Sequence, residues 1–167
     1  MAAAKPFLRG KVLDFGCGTG ALAGLWPAAD YAGVDHDPES LAKARAMYPG
    51  HAFFDTPPPN SVFDTIACLA VIEHVPHPAD LLQSLSRLLA PSGRMVLTSP
   101  HPGFEMAYKA GARLGLFSRH AEHDHQALIN QASMRRAASQ ASLEMVFFRR
   151  FLLGANQIFV LRHKNGA

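Results

Sequence analysis

Residues 11–20, KVLDFGCGTG, place three glycines in five positions directly behind a short apolar run. Gly16, Gly18 and Gly20 carry no Cβ, so the chain can turn sharply there and a ligand can approach the backbone. An apolar run that ends in such a loop predicts a buried strand whose exit is a binding site, as in doubly wound sheets. A helix opened by GALAGLWPAA (20–29) would aim its positive end at the ligand. A tight structural turn without any ligand is the plain alternative.

The rest of the chain alternates in the same way. KVLDFG (11–16), YAGVDHD (31–37), HAFFDT (51–56), FDTIACLAVI (63–72) and RMVLTSP (94–100) read as strands. PESLAKARAMY (38–48) and PADLLQSLSRLLA (78–90) read as helices, the second with an apolar stripe at 81, 82, 85, 88 and 89. Pro38 suits a first helical turn, and PSG (91–93) reads as a stop. The unbroken apolar run of the fourth strand predicts cover on both faces. Strand–helix alternation of this kind predicts a parallel sheet with right-handed crossovers. Near the C-terminus, a helix over 126–143 precedes strands over 144–153 and 156–164. Only Gly154-Ala155 joins that last pair, too few residues for a crossover, so the two strands should pair antiparallel. The expectation is one α/β domain over 1–167, with residues 101–125 as the irregular stretch.

Composition excludes several functions. Apolar residues make up 49% and charged residues 17%, a globular balance. Sixteen basic and 13 acidic residues give a net charge of +3. The basic residues are scattered and form no stripe that could track a phosphate backbone, so nucleic acid is not expected as a partner. No run approaches the length of a membrane span, and MAAAKPFLRG has no signal-like apolar core. Cys17 and Cys68 form no disulfide framework, which fits a reducing, cytoplasmic setting.

The glycine loop leaves two ligand classes open. Gly16, Gly18 and Ala21 satisfy the dinucleotide pattern G-x-G-x-x-G/A. Asp14, inside the strand end, points elsewhere: a buried carboxylate is costly unless paired, and a cationic ligand would pair it. Asp35 ends the second strand, where a carboxylate can accept hydrogen bonds from both hydroxyls of a ribose. That implies a nucleoside under either class.

VLDFGCGTG, GVDHDPESLAKA and FDTIACLAVIEHVPHPADLLQSLSRLLAPSGRMVLTSP, in that order over residues 11–100, resemble the class I S-adenosylmethionine-dependent methyltransferases, of the small, type 11-like kind. The resemblance implies a Rossmann-like, doubly wound sheet of seven strands, mostly parallel with an antiparallel C-terminal strand. It implies S-adenosyl-L-methionine as cofactor. Asp14, Gly16, Cys17, Gly18 and Gly20 would surround its methionine part. Asp35 would hold the ribose, with His36 beside the adenine and Asp55 facing the adenine amino group. Leu69 and Ala70 would present backbone near the methionine moiety. Glu73-His74 matches the family's pair at the tip of the fourth strand, near the substrate entrance.

Such a cofactor is already a strong methyl donor, so the protein's main task is to align donor and acceptor. A base that removes a proton from an acceptor oxygen or nitrogen can add to this. His74 is the candidate base, with Glu73 beside it; a purely structural role in the pocket wall is the alternative. His101, Tyr108, His123 and His125 lie in the irregular stretch after strand five and are candidate substrate contacts, which makes 101–125 a substrate or lid segment. His120, His123, Asp124 and His125 match no closed zinc site, and no metal is expected. Pro57-Pro58-Pro59 reads as a stiff loop. Phe147, Phe148, Phe151 and Phe159 read as core, and Trp26 as packing for the first helix.

The chain also departs from the family. Strand one begins near residue 11, which leaves almost no room for the N-terminal helices that cover the cofactor in many relatives. The loop between Asp55 and Phe63 is short. Either the site is open, which suits a large acceptor, or 101–125 or a second copy of the chain closes it. FLLGANQIFVLRHK is similar to the end of short methyltransferases that accompany glycan or envelope biosynthesis, which implies a small-molecule, glycan or lipid-linked acceptor. Two further readings stay open: a non-catalytic module that binds the cofactor and acts through a partner, and a nicotinamide oxidoreductase.

Overall fold

In a computed structural model that describes residues 1–102 and 129–164, seven strands form one sheet in the order β3-β2-β1-β4-β5-β7-β6. They are β1 (Val12–Phe15), β2 (Tyr31–Val34), β3 (Ala52–Phe54), β4 (Phe63–Leu69), β5 (Leu89–Pro100), β6 (Leu143–Phe151) and β7 (Asn156–His163). The first five pair parallel; β7 pairs antiparallel with both β5 and β6. Tyr108, His123 and His125 lie outside the described residues, as do 126–128 of the C-terminal helix.

Both sheet faces are covered, and this explains the apolar runs. Successive residues of a strand point to opposite faces. Leu13, Ile66, Cys68, Met95, Leu97 and Phe159 therefore share one core with Leu82, Leu85, Met134 and Ala138. Those partners come from α2 (Pro78–Ser86) and α3 (Gln131–Gln140). Their neighbours Val12, Ala67, Val96 and Ile158 pack on the other face against Leu41 and Ala44 of α1 (Pro38–Met47) and against Ala4 and Leu8. Helix starts follow capping chemistry: Asp37 accepts hydrogen bonds from the Glu39 and Ser40 amides ahead of Pro38, and Asn130 and Ser133 form a reciprocal capping box.

Two expectations need correction. The first is the helix over 20–29. Two single 3-10 turns, Ala23–Leu25 and Ala28–Asp30, take its place. Pro27 forces Trp26 out of the helical region, and Trp26 is extended (φ −132°, ψ 143°). No long helix dipole therefore points at the glycine loop. Trp26 is half-buried and donates its Nε1–H to the Gly10 carbonyl at 3.1 Å.

The second concerns PSG (91–93), which does not stop α2. The helix ends at Ser86, and Pro91, Ser92 and Gly93 lie inside β5. Leu89 pairs with Phe63 and Arg94 with Thr65, so the three residues occupy a register shift. A bulge tolerates a proline that cannot donate to the ladder.

One buried side chain organises the far end of the sheet. The Gln157 amide donates to the Pro100 carbonyl at 3.0 Å and the Ile129 carbonyl at 2.7 Å. The chain therefore leaves β5 and returns toward α3 at one place, beyond the C-terminal end of β5. Phe159 is fully buried; Phe147, Phe148 and Phe151 are partly so.

The β6–β7 hairpin turns through Leu152 and Leu153, both left-handed (φ 51° and 53°) and both highly exposed. That backbone region costs a leucine roughly 1–2 kcal/mol, and the exposed side chain recovers none of it. Leu153→Gly should therefore raise unfolding stability by about 0.5–1 kcal/mol in urea titration.

Candidate functional site

The site forms where the C-terminal ends of β1, β2 and β4 meet. β1 lies between β2 and β4 in the register Asp14↔Gly33 and Asp14↔Ala67. The Gly16 and Cys17 amides donate to the Val34 carbonyl at 2.8 and 3.0 Å, which folds the loop back over β2. Gly16 is left-handed (φ 74°), and a Cβ there would run into Val71. Gly18 is also left-handed (φ 52°), but a Cβ there would meet nothing within 4 Å. So Gly16 is required by packing, whereas Gly18 borders open space that a ligand can fill. Gly20 lies against Phe53 and Tyr48.

Two acids flank the loop. Asp14 is buried, 4% exposed, and accepts the Tyr31 hydroxyl at 2.8 Å. Burial pushes its carboxyl up to about 6; the Tyr31 hydrogen bond lowers it, and the charge of Asp35 adds to the rise. Asp35, also largely buried, accepts the Gly18 amide at 2.7 Å on Oδ2 and the Asp37 amide at 3.0 Å on Oδ1. Its carboxylate thus holds the loop as well as facing the site. A carboxylate has about four acceptor positions, so each oxygen keeps capacity for a further hydroxyl.

Cys17 lies between the acids. Burial, then Asp14 and Asp35, push its thiol up to about 12, so it stays protonated and is a poor nucleophile. Cys68 is buried below the site and is likewise pushed up, first by burial, then by Glu73 and Asp14.

The remaining candidates spread around this centre. His36 is fully exposed beside Asp35, with Nδ1 3.6 Å from Oδ1. Asp55 follows β3, on the far side of β2, exposed and accepting from the Thr56 hydroxyl at 3.3 Å. Leu69 ends β4, and Ala70 follows in a left-handed turn (φ 58°). The Ala70 amide donates to the Thr98 carbonyl at 3.0 Å, which ties this strained residue to β5. Glu73 and His74 sit in the 3-10 turn Ile72–His74 just beyond: Glu73 is buried and His74 exposed. His101 lies farther off, past β5, its amide donating to the Ala155 carbonyl at 2.8 Å. Burial and the Arg150 charge push its ring below the usual histidine value.

Sequence reasoning missed Tyr31, Gly33 and Val71. Tyr31 begins β2, and its buried phenol reaches Asp14 because Gly33 leaves the strand face clear. A Cβ on Gly33 would lie 2.9 Å from the Tyr31 oxygen and 2.6 Å from Phe53. The signal was an aromatic followed by glycine two residues on, the same-face spacing of a strand.

A methyltransferase-domain family model matches residues 1–146. A trans-aconitate 2-methyltransferase of Methylobacterium nodulans is 37% identical over 102 residues, covering 54% of this chain and 38% of that protein. A ubiquinone biosynthesis O-methyltransferase of Paracidovorax citrulli is 30% identical over 155 residues, covering 81% of this chain and 64% of that protein. The chain thus spans less than two thirds of the length of both relatives. An S-adenosylmethionine-dependent methyltransferase from Mesorhizobium loti has the same fold, with TM-score 0.74 and 18% identity over 97% of this chain and 96% of that one. Family match, strand order and antiparallel C-terminal pair decide between the ligand classes that the glycine loop left open: the chain belongs to the methyltransferase-domain family, the class I S-adenosylmethionine-dependent methyltransferases.

Proposed function

We propose that this protein transfers a methyl group from S-adenosylmethionine to an oxygen atom of a small organic acceptor. The observation that carries the reading is the pair of carboxylates, Asp14 buried and Asp35 largely so, on either side of a loop whose Gly18 borders open space. S-adenosylmethionine supplies, when bound, a methyl group on a positively charged sulfur. The chain's own residues bind and orient it. Asp14 faces the positive charge of the methionine part, within a wall made by Gly16, Cys17, Gly18 and Gly20. Asp35 accepts the ribose hydroxyls with the acceptor positions its loop bonds leave over. His36 and Asp55 line the adenine side, and Leu69 and Ala70 offer backbone carbonyls.

His74, exposed at the tip beyond β4, is the residue we assign to take the acceptor proton, with Glu73 buried behind it. His101, Tyr108, His123 and His125 are assigned to the acceptor side. The name of the Paracidovorax citrulli relative supports oxygen over nitrogen as the acceptor atom. Glycan and lipid-linked hydroxyls, and closure of the site by a second copy of the chain, belong to the same reading.

Methyl transfer from labelled S-adenosylmethionine to a panel of phenols, carboxylates, sugars and lipid-linked hydroxyls tests the activity. Product from at least one hydroxyl acceptor is expected. Cofactor binding with no transfer to any acceptor would reduce the protein to a binding module.

Asp14 sets a pH signature. The folded protein holds this proton up to about pH 6, the unfolded chain only to 3.8. Between those values the folded state binds more protons, so ligand-free stability falls as pH rises. The loss above pH 6 is about 3 kcal/mol. Asp14→Asn should recover it, seen as higher stability at pH 7 in urea titration. The same change should weaken cofactor binding, because the ligand's positive charge needs the ionised carboxylate. In the unsubstituted protein, affinity measured by calorimetry should fall by roughly tenfold per pH unit below about 6. A flat profile would remove Asp14 from the charge-binding role.

Asp35→Ala loses the ribose contacts and frees the loop at Gly18. It should weaken cofactor binding by about 1–3 kcal/mol, and unchanged affinity in a folded variant would displace the nucleoside from β2.

A further inference from the structure

A cleft of about 360 Å³ opens at the opposite end of the sheet from the glycine loop. It lies among the segment that precedes β1, the first half of β5, the first half of β6 and the last half of β7. Arg9, Arg94 and Arg162 line it together with Phe7, Phe147 and Val160. None of its nine lining residues is acidic, and that volume suits a small molecule.

The three arginines are not equivalent. Arg162 is paired with Glu144 at 2.7 Å. Arg9 donates to the Ser92 carbonyl. Neither Arg9 nor Arg94 has a carboxylate partner among the described residues. Arg9 and Arg94 line the same cleft, so two like charges share it; burial, then the charge of Arg9, push the Arg94 guanidinium below its usual value. An oxyanion between them would offset that repulsion, and guanidinium groups suit phosphate and carboxylate heads through paired N–H donors.

The walls set the rest of the ligand. Phe7 and Phe147 meet with ring centroids 4.7 Å apart, and Val160 is buried behind them. Apolar walls beside fixed positive charge take an anion with a hydrocarbon body in preference to a bare inorganic ion.

We propose that this cleft binds a small organic oxyanion, a phosphate or carboxylate head on an aromatic or alicyclic body, at a site separate from the glycine loop. It rests on the arginines and the cavity alone and stands apart from the methyl-transfer reading.

Calorimetry on the full chain with phenyl phosphate, benzoate and neutral benzyl alcohol tests it. At least one of the two anions should bind, with the better one at least about tenfold tighter than benzyl alcohol; which anion binds better identifies the preferred head. Arg94→Gln should weaken that anion by about tenfold or more and leave affinity for S-adenosylmethionine unchanged. Should Arg94→Gln melt early, Arg9→Gln is judged by the same criterion. The proposal is overturned if neither anion binds, if benzyl alcohol binds as well as they do, or if the folded arginine variant keeps its affinity.

Discussion

The Asp35 carboxylate ties the end of β2 to the glycine loop of β1, and the geometry of the site follows from that tie. One oxygen takes the Gly18 amide and the other takes the Asp37 amide. The Gly16 and Cys17 amides are meanwhile spent on the Val34 carbonyl. Strand β2 therefore dictates the path of a loop that belongs to β1. With no long helix behind the loop, no macrodipole fixes it or draws in a ligand. The work falls to side-chain acids and to strand-end hydrogen bonds. A side chain that holds the loop through one carboxylate oxygen and is itself held through the other leaves the loop's path fixed in advance.

Asp14 is the costly member of the arrangement. An ionised carboxylate beside Cys17 and Tyr31 is penalised by desolvation, and one phenol hydrogen bond does not offset it. Burial, together with the same negative field, keeps Cys17 as a protonated thiol. At the other end of the sheet the sign reverses, with Arg9, Arg94 and Arg162 around a single cleft. A net charge of +3 conceals this separation.

Some elements were legible because local chemistry and tertiary demand agree. β4 shows an unbroken apolar run since both of its faces are buried. The β6–β7 pair had to be antiparallel because no crossover fits in so short a link. α1 was visible in Pro38, a residue that needs no hydrogen-bond donor in a first helical turn; its Asp37 cap became visible only in the fold. Other elements were not legible. GALAGLWPAA has helix-like composition, but Pro27 breaks it and the chain uses 3-10 turns. Pro91 and Gly93 carry stop signals that β5 absorbs as a bulge, because pairing with β4 outweighs local preference.

The amino-acid order alone determined the strand–helix rhythm, the side-chain-free loop and the two acids beside it, since each depends on residue type and spacing along the chain. Only the folded sheet decided that Tyr31 reaches Asp14 across the empty face of Gly33. Folding also set Val71 against Gly16 and gathered Arg9, Arg94 and Arg162 from three separate segments. Such contacts join residues far apart in sequence, and their partners are set by register and strand order, which no local pattern records.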